Sequence, residues 1–258
     1  MLIQEIAVQQ ITASLIQSSY VRAVFLKGSM GRNEHDEHSD IDLYCLVDQE
    51  QESLFLKERL SHLEAYRPVL FQDDIFIIAP QLIVVFDNFL HIDLFTVTVE
   101  SFTAKDFFKV VYDPENLLEQ FVASQSLTLS KEEYTDHVID VAWFLFQYRK
   151  AAARGNEIWA VKMLSQVLEH LSRVLLYRYT PERAQLGLKA ISRSLPKTIF
   201  AEVEKMSTLM TPENHAQAAL IVRCLLAKEI GWMHQHVTDP NKIMPLMQKM
   251  ITERVEST

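Results

Sequence analysis

The chain is poor in cysteine and has no long apolar run, and these two absences exclude several classes of protein. Its 258 residues include only Cys45 and Cys224, which lie too far apart in sequence to form a metal or redox motif. No apolar stretch approaches the ~20 residues that a membrane-spanning helix needs. The first residues are interrupted by Glu5 and carry no basic segment, so they do not resemble a signal peptide. We therefore expect a cytoplasmic protein with reduced thiols and no membrane partner.

An excess of positive charge is also lacking. The formal net charge is −9, which makes a nucleic-acid phosphate backbone an unsuitable partner. The content of hydrophobic residues, 48%, and of charged residues, 23%, is that of an ordinary globular protein. A chain of this length can form one large domain or two small ones, each with its own core. The acidic balance favours a positively charged ligand if the protein binds a small molecule.

The two halves of the chain differ in their hydrophobic patterns. Residues 21–99 contain short β-rich runs, with a helical stretch at 51–66 between the second and third runs. This order predicts an α/β (α+β) domain with a mixed sheet. From about Lys131 onward, long amphipathic stretches with almost no glycine predict a bundle of helices. The Asp113–Pro114 pair marks a break between the two parts, and we place the domain boundary at 115/116.

Glycine is scarce, with only 5 residues, yet two of them lie close together in the sequence GSMGR. Gly28 and Ser29 follow a predicted strand, where a glycine allows a sharp turn and a close approach to a ligand. Successive backbone N–H groups in such a turn bind anions, and the serine hydroxyl adds a donor. Gly31 and Arg32 complete the turn. The stretch predicts a phosphate-binding turn without the lysine of the Walker motif.

Two aspartates follow on the next predicted strand. Asp40 and Asp42 are separated by one residue, so their side chains project from the same face of the strand. Two carboxylates held close together repel each other unless a cation lies between them or one is protonated. Oxygen ligands of this kind favour Mg²⁺. Asp93, in an apolar stretch on another predicted strand, supplies a third carboxylate, and the set predicts a metal-dependent nucleotidyl-transfer site.

The sequence GSMGR, followed after six residues by SDID, resembles the signature of the DNA polymerase β-like nucleotidyltransferase superfamily. The form of both motifs and their spacing look like those of the kanamycin-type aminoglycoside nucleotidyltransferases. The resemblance implies that Gly28 and Ser29 hold the triphosphate of ATP or another NTP, with Arg32 and Ser39 in the same nucleotide-binding set. It also implies that two Mg²⁺ ions bind Asp40 and Asp42, and that Asp93 is either a third metal ligand or the general base. Residues 1–115 would form the nucleotidyltransferase domain, and residues 116–258 a helical, acceptor-binding domain.

One position departs from the pattern of the kanamycin-type enzymes. Those enzymes carry a glutamate base on the first long helix of the second domain, and this chain has Gln147 there. A glutamine cannot accept the proton. Asp140 lies two turns earlier on the same face of the predicted helix, so either Asp140 or Asp93 could serve as the base.

The sequence therefore predicts an enzyme that moves AMP or another NMP from an NTP to a hydroxyl group of a small molecule and releases pyrophosphate. The acceptor that the resemblance suggests is an aminoglycoside-like antibiotic, which would give the protein a role in resistance. Two alternatives remain open: a protein or RNA acceptor, as in antitoxin-like nucleotidyltransferases, and a nucleotide-binding protein without catalysis. A homodimer is compatible with the sequence.

Overall fold

A six-stranded mixed sheet forms the centre of the first part of the protein in the computed structural model, which describes residues 1–103 and 105–252. The chain divides into two compact units, Met1–Ser126 and Leu127–Thr258. Strands in the first unit follow the order β3-β4-β5-β2-β1-β6. The neighbours β2 and β5 run parallel, and the other pairs run antiparallel. The elements of this unit are α1 (Ile3–Leu15), β1 (Val21–Leu26), α2 (Gly28–Gly31), β2 (Ile41–Val47), α3 (Glu52–Glu64), β3 (Val69–Phe76), β4 (Pro80–Phe86), β5 (His91–Val97) and β6 (Lys109–Tyr112).

The two faces of the sheet have different coverings because successive side chains of a strand point to opposite faces. On β2, Leu43 and Cys45 belong to a core that α1 and α3 complete with residues such as Ile11 and Phe55. The opposite face carries a second core that includes five aromatic side chains, which are Phe25, Tyr44, Phe95, Phe102 and Phe108. Tyr44 stacks on Phe95 with ring centroids 4.4 Å apart. Asp42 precedes Tyr44 by two residues, so this second face is the one that carries the predicted site.

The last strand of the sheet was not predicted from the sequence. β6 pairs with β1 and carries mostly exposed side chains, so it lacks the alternating pattern of a half-buried strand. The chain then continues into a 3₁₀ helix, Glu119–Ser124. Leu118, just before this helix, and Phe121, within it, pack into the second core. The first unit therefore extends to Ser126.

The second unit contains only helices among its described residues. α4 begins with a capping box, in which the Ser130 hydroxyl accepts a hydrogen bond from the Glu133 N–H. It ends near Gly155, whose φ of 63° allows the chain to turn into the next helix. The predicted α/β (α+β) domain followed by a helical region is thus confirmed. The helices are α4 (Lys131–Ala152), α5 (Glu157–Tyr179), α6 (Ile191–Ser194), α7 (Lys197–Thr208), α8 (His215–His236) and α9 (Pro240–Thr252), with a 3₁₀ segment at Pro181–Lys189.

Within residues 1–103 and 105–252, none of the helices combines the length and the hydropathy needed to cross a bilayer.

Candidate active site

The predicted phosphate-binding turn connects β1 to β2. Gly28 has a φ of 58°, which a side chain would strain, and it begins the short helix α2. The first hydrogen bond of this helix runs from the Gly31 N–H to the Lys27 carbonyl, at 2.9 Å. The N–H groups of Gly28, Ser29 and Met30 precede that bond and lack an acceptor within the helix. The turn therefore presents helix-initial N–H groups, as the sequence predicts for a phosphate-binding segment.

The Ser29 hydroxyl lies where it could form a hydrogen bond to a ligand. Its Oγ is buried and makes no hydrogen bond to any of the residues that the structure describes. A buried hydroxyl without a partner costs on the order of 1–3 kcal/mol. An acceptor oxygen at this position would remove that penalty.

Gly28 and Asp42 lie in direct contact across the turn. A Cβ atom at Gly28 would overlap Oδ2 of Asp42 and lie 3.0 Å from its Cγ. The backbone joins the same segments, since the Lys27 N–H donates to the Asp42 carbonyl at 3.0 Å. Only glycine leaves room for the carboxylate beside the turn, so the two predicted motifs form one local structure.

Strand pairing places the second carboxylate beside the first. β2 and β5 are parallel neighbours, and Asp42 and Asp93 are partners in their register. Both side chains are half-buried on the same face of the sheet, while Asp40, just before β2, is exposed. The oxygens of the three carboxylates do not all lie within 4.8 Å of one another. Like charges on adjacent strands repel, and a bound cation or protonation of one carboxyl group would relieve that repulsion.

His91 contacts the third carboxylate. Its Nε2 lies 3.1 Å from Oδ1 of Asp93. This hydrogen bond to Asp93 is the largest influence on His91 and raises the pKa of the imidazole above its usual 6.5, although partial burial opposes the shift. The spacing could have revealed this residue, because His91 stands two positions before Asp93 and shares its face.

Lys27 is a second residue that the sequence analysis missed. Its amine lies over the rings of Tyr44 and Phe102, 5.2 and 5.3 Å from their centroids, and donates to the Thr103 carbonyl at 3.4 Å. Burial lowers the pKa of the Lys27 ammonium, while Asp106 and Asp42 oppose that shift. A basic residue directly before Gly28 was visible in the sequence, but its burial among aromatic rings was not.

Two predicted nucleotide-binding residues have partners within the protein. Arg32 donates to Asp106 at 2.6 Å and to Glu34 at 3.1 Å. Ser39 accepts a hydrogen bond from the Asp36 N–H at 3.0 Å, so it stabilises the loop before β2. Either residue would have to give up or share these contacts to bind a nucleotide. Their assignment to the nucleotide site remains a prediction.

A cleft of about 450 Å³ opens at Asp40, and neither Asp42 nor Asp93 is among its lining residues. Asp40 and His91 line it together with residues of the loop before β2 and of the β4–β5 turn. In that turn Phe89 has a φ of 62° and is 81% exposed, so its ring lies open to solvent at the rim. The cleft is large enough for part of a small-molecule substrate.

Asp140, the alternative candidate for the base, belongs to the second unit. It lies on α4, and its Oδ2 is 3.3 Å from Nδ1 of His170 on α5. The first unit thus brings together Gly28, Ser29, Asp42 and Asp93, with Asp40 at the edge of the group. The catalytic and metal-binding roles of these residues remain predictions.

Comparison with known protein families supports the interpretation of the first unit. Residues 9–88 match the family described as polymerase beta, nucleotidyltransferase. The match includes the turn at Gly28 and the strand that carries Asp42, and it ends before Asp93. Residues 9–88 are therefore similar to the polymerase β nucleotidyltransferase family, which confirms the resemblance of the sequence motifs to that superfamily.

Three solved structures are similar to the chain over most of its length. One is an aminoglycoside 6-adenyltransferase from Bacillus subtilis, with 12% identity, a TM-score of 0.40, and coverage of 98% of this chain and 100% of the other. The second is a nucleotidyltransferase-like protein from Exiguobacterium sibiricum, with 11% identity, a TM-score of 0.36, and coverage of 96% and 74%. The third is a cyclic dinucleotide synthase from Elizabethkingia meningoseptica, with 13% identity, a TM-score of 0.33, and coverage of 96% and 91%. No curated protein sequence matches the chain significantly.

Proposed function

We propose that this chain is a Mg²⁺-dependent nucleotidyltransferase that moves AMP, or another NMP, from an NTP to a hydroxyl group of a small molecule and releases pyrophosphate. The observation that carries the proposal is the contact between the Gly28 backbone and the Asp42 carboxylate, with Asp93 in register beside Asp42. A phosphate-binding turn and a carboxylate pair at one place act on the same bound molecule.

The turn is the proposed site of the triphosphate. Helix-initial N–H groups of Gly28, Ser29 and Met30 would donate to phosphate oxygens, as anions are bound at such turns. The Ser29 hydroxyl, buried without a partner among the described residues, would gain one. Because Gly28 has no side chain, the phosphates can approach the backbone and Asp42 at once.

The carboxylates Asp40 and Asp42 fit a magnesium site by their chemistry, and Asp93 would be either a third ligand or the general base. All are oxygen donors, and Mg²⁺ is bound in proteins by one or two carboxylates together with substrate phosphates. The bound ion would neutralise negative charge on the phosphates. His91 Nε2 lies 3.1 Å from Oδ1 of Asp93, so a protonated imidazole would place positive charge beside this carboxylate.

Asp93 is the residue that we propose as the general base. The hydroxyl oxygen of the acceptor forms a bond to the α-phosphorus, and the bond between that phosphorus and the α–β bridging oxygen breaks. Pyrophosphate leaves with the electron pair, and the hydroxyl proton passes to a carboxylate oxygen of Asp93. A positioned carboxylate typically contributes ~10²–10⁴-fold to such a step. Asp93 is preferred over Asp140 because it lies on the strand next to Asp42, within the same unit.

A small, positively charged acceptor suits the charge of the protein. The net charge is −9, and the acidic residues Glu37 and Asp40 line the cleft. A negative cleft concentrates positive ligands. We propose an aminoglycoside-like polyamine alcohol as the acceptor, with residues 116–258 contributing to its binding.

The test of this function is a transfer assay with labelled NTPs and Mg²⁺. The acceptors are a panel of aminoglycosides and other hydroxyl-bearing small molecules, with proteins and RNAs as separate arms. Mass spectrometry should find an acceptor heavier by one NMP, together with released pyrophosphate. Asp42→Asn should abolish the product, and Asp73→Asn, which changes an exposed aspartate on β3, should not. Product from the Asp42→Asn variant at the wild-type rate would refute the proposal.

A second comparison separates the two candidates for the base. A lost base lowers turnover while Mg²⁺ and nucleotide binding stay unchanged, whereas a lost metal ligand also raises the Mg²⁺ requirement. We expect Asp93→Asn to be nearly inactive and Asp140→Asn to retain activity. If Asp140→Asn were inactive with intact Mg²⁺ and ATP binding while Asp93→Asn still turned over, the base would lie on α4.

A further inference from the structure

Three metal-ligating side chains meet between α4 and α5 in the second unit. His137 and Asp140 lie one turn apart on α4, and His170 faces them from α5. Among the described residues, theirs is the one set of three or more such side chains whose ligand atoms all lie within 4.8 Å of one another. The Nδ1 atoms of His137 and His170 are 3.0 Å apart, and Oδ2 of Asp140 is 3.3 Å from Nδ1 of His170.

If both imidazoles are neutral, hydrogen bonds within the cluster cannot satisfy all three of these nitrogen and oxygen atoms. The Nδ1 of His170 can carry only one hydrogen, yet both its neighbours, His137 Nδ1 and Asp140 Oδ2, approach that same atom. If His170 donates, two acceptors compete for one proton. If His137 donates instead, the carboxylate faces a lone pair on His170. A metal cation would satisfy all three atoms at once, because each offers it a lone pair.

The surroundings support His170 and leave the cluster open to solvent. The ring of Phe144 stacks on His170, with centroids 5.5 Å apart. The side chain of His170 is 19% exposed and that of Asp140 is 39% exposed, so the cluster is reachable from solvent. Arg173, the neighbouring cation on α5, is paired with Glu169 at 2.5 Å, which balances its charge.

We propose that His137, Asp140 and His170 form a transition-metal site of the zinc type that joins α4 to α5. Two imidazole nitrogens and one carboxylate oxygen are a ligand set that Zn²⁺ takes with a fourth, open position for water. Ligands bound at 2.0–2.2 Å in tetrahedral geometry lie about 3.4 Å apart, close to the separations of 3.0 and 3.3 Å in the cluster. The imidazoles distinguish it from the all-oxygen carboxylate group of the first unit.

The site predicts a metal preference and a role. Imidazole ligands suit Zn²⁺ and Co²⁺, whereas Mg²⁺ prefers oxygen ligands, so an excess of Mg²⁺ should not displace the bound ion. Because the ligands come from two helices, the bound ion would hold α4 and α5 together and stabilise the folded state.

Cobalt binding provides the test, since Co²⁺ absorbs strongly in a four-coordinate site with nitrogen ligands and weakly among oxygen ligands and water. The full chain is stripped of metal with a chelator and titrated with Co²⁺ in excess Mg²⁺, and Zn²⁺ is then added. We expect one strongly absorbing Co²⁺ per chain, its displacement by one Zn²⁺, and a higher Tm with Zn²⁺. Substitutions of residues that only support a metal's ligands weaken metal binding about 10- to 100-fold. His170→Ala and Asp140→Asn remove a ligand, so they should weaken Co²⁺ binding by more than that.

His234→Ala is the matched control, because His234 is an exposed histidine near the end of α8. It should bind Co²⁺ as the wild type does. Asp140→Asn keeps the shape of the side chain, so it remains informative if His170→Ala does not fold. The proposal is overturned by weak, oxygen-type absorption in the wild type, by displacement of Co²⁺ with Mg²⁺, or by unchanged absorption in folded Asp140→Asn.

Discussion

Replacing Gly28 with alanine probes the contact between the turn at Gly28 and the Asp42 carboxylate. The backbone alone sets one part of the effect, because a φ of 58° costs a residue with a Cβ about 1–2 kcal/mol. The new methyl group would also overlap Oδ2 of Asp42, and such overpacking adds about 1–3 kcal/mol. We therefore expect Gly28→Ala to lower the free energy of unfolding of the first unit by about 2–5 kcal/mol.

Gly155 offers a matched control for the backbone part. Its φ is 63°, close to that of Gly28, but a Cβ there would meet no atom within 4 Å. Gly155→Ala should cost about 1–2 kcal/mol and leave nucleotide transfer unchanged. Gly28→Ala should abolish transfer, since the carboxylate must move to make room for the methyl group.

Urea-dependent hydrogen exchange, read by mass spectrometry, measures the two units separately. Peptides from β1 and β2 report the Gly28 site, and peptides from α4 and α5 report the Gly155 site. An Asp42→Ala background removes the overlapping oxygen, so the Gly28→Ala change should then cost no more than the backbone part. If Gly28→Ala costs the same as Gly155→Ala in the wild-type background, or keeps its larger cost without the Asp42 carboxylate, the reasoning is refuted.

The remaining predictions concern three side chains with unusual surroundings. Ser29→Ala should leave the free energy of unfolding unchanged or raise it, because the Oγ has no partner among the described residues. Calorimetry with Mg²⁺ should show that the same change weakens nucleotide binding by about 10- to 150-fold. Equal nucleotide affinity in the variant and the wild type would contradict this prediction. The hydrogen bond to Asp93 raises the pKa of His91, so the stabilisation that this bond gives the folded state is fully present below about pH 6.5 and is lost as the pH rises through the higher folded pKa. In Mg²⁺-free urea titrations, His91→Gln should remove this pH dependence of the free energy of unfolding. A pH profile unchanged by the substitution would contradict the prediction. Glu229 is 3% exposed and accepts hydrogen bonds from Arg178 at 2.7 Å and from Tyr179 at 2.8 Å, so Glu229→Gln should lower the free energy of unfolding of the second unit by about 1–3 kcal/mol, and a loss below the error of exchange measurements on α8 would contradict this.

Local signals made several features predictable from the sequence. Gly28 and Ser29 identify the turn because few other residues allow a positive φ and donate to an anion at the same place. Asp40 and Asp42 share a face because the side-chain period of a strand is two. The helix α5 begins after Asn156, a good capping residue, and ends before Pro181, and both residues are local signals.

Nonlocal contacts made other features unpredictable. β6 is short and exposed, so no periodic pattern indicated it. Arg32 is predicted as a phosphate ligand from its place in the turn, but its partner Asp106 comes from a distant segment. The cluster of His137, Asp140 and His170 joins residues of two helices, and their meeting depends on how α4 and α5 pack.

By itself the sequence determined the chemistry of the candidate site, while the tertiary structure decided its assembly. One short segment contains Gly28, Ser29, Asp40 and Asp42. Their local geometry therefore depends on backbone preferences that can be read from the sequence. Asp93 lies beside Asp42 because β5 pairs in parallel with β2, a strand distant in sequence, as well as with β4, which precedes it in the chain. Strand pairing of this kind is decided by the burial of the whole sheet against its helices and aromatic core, which no short segment encodes.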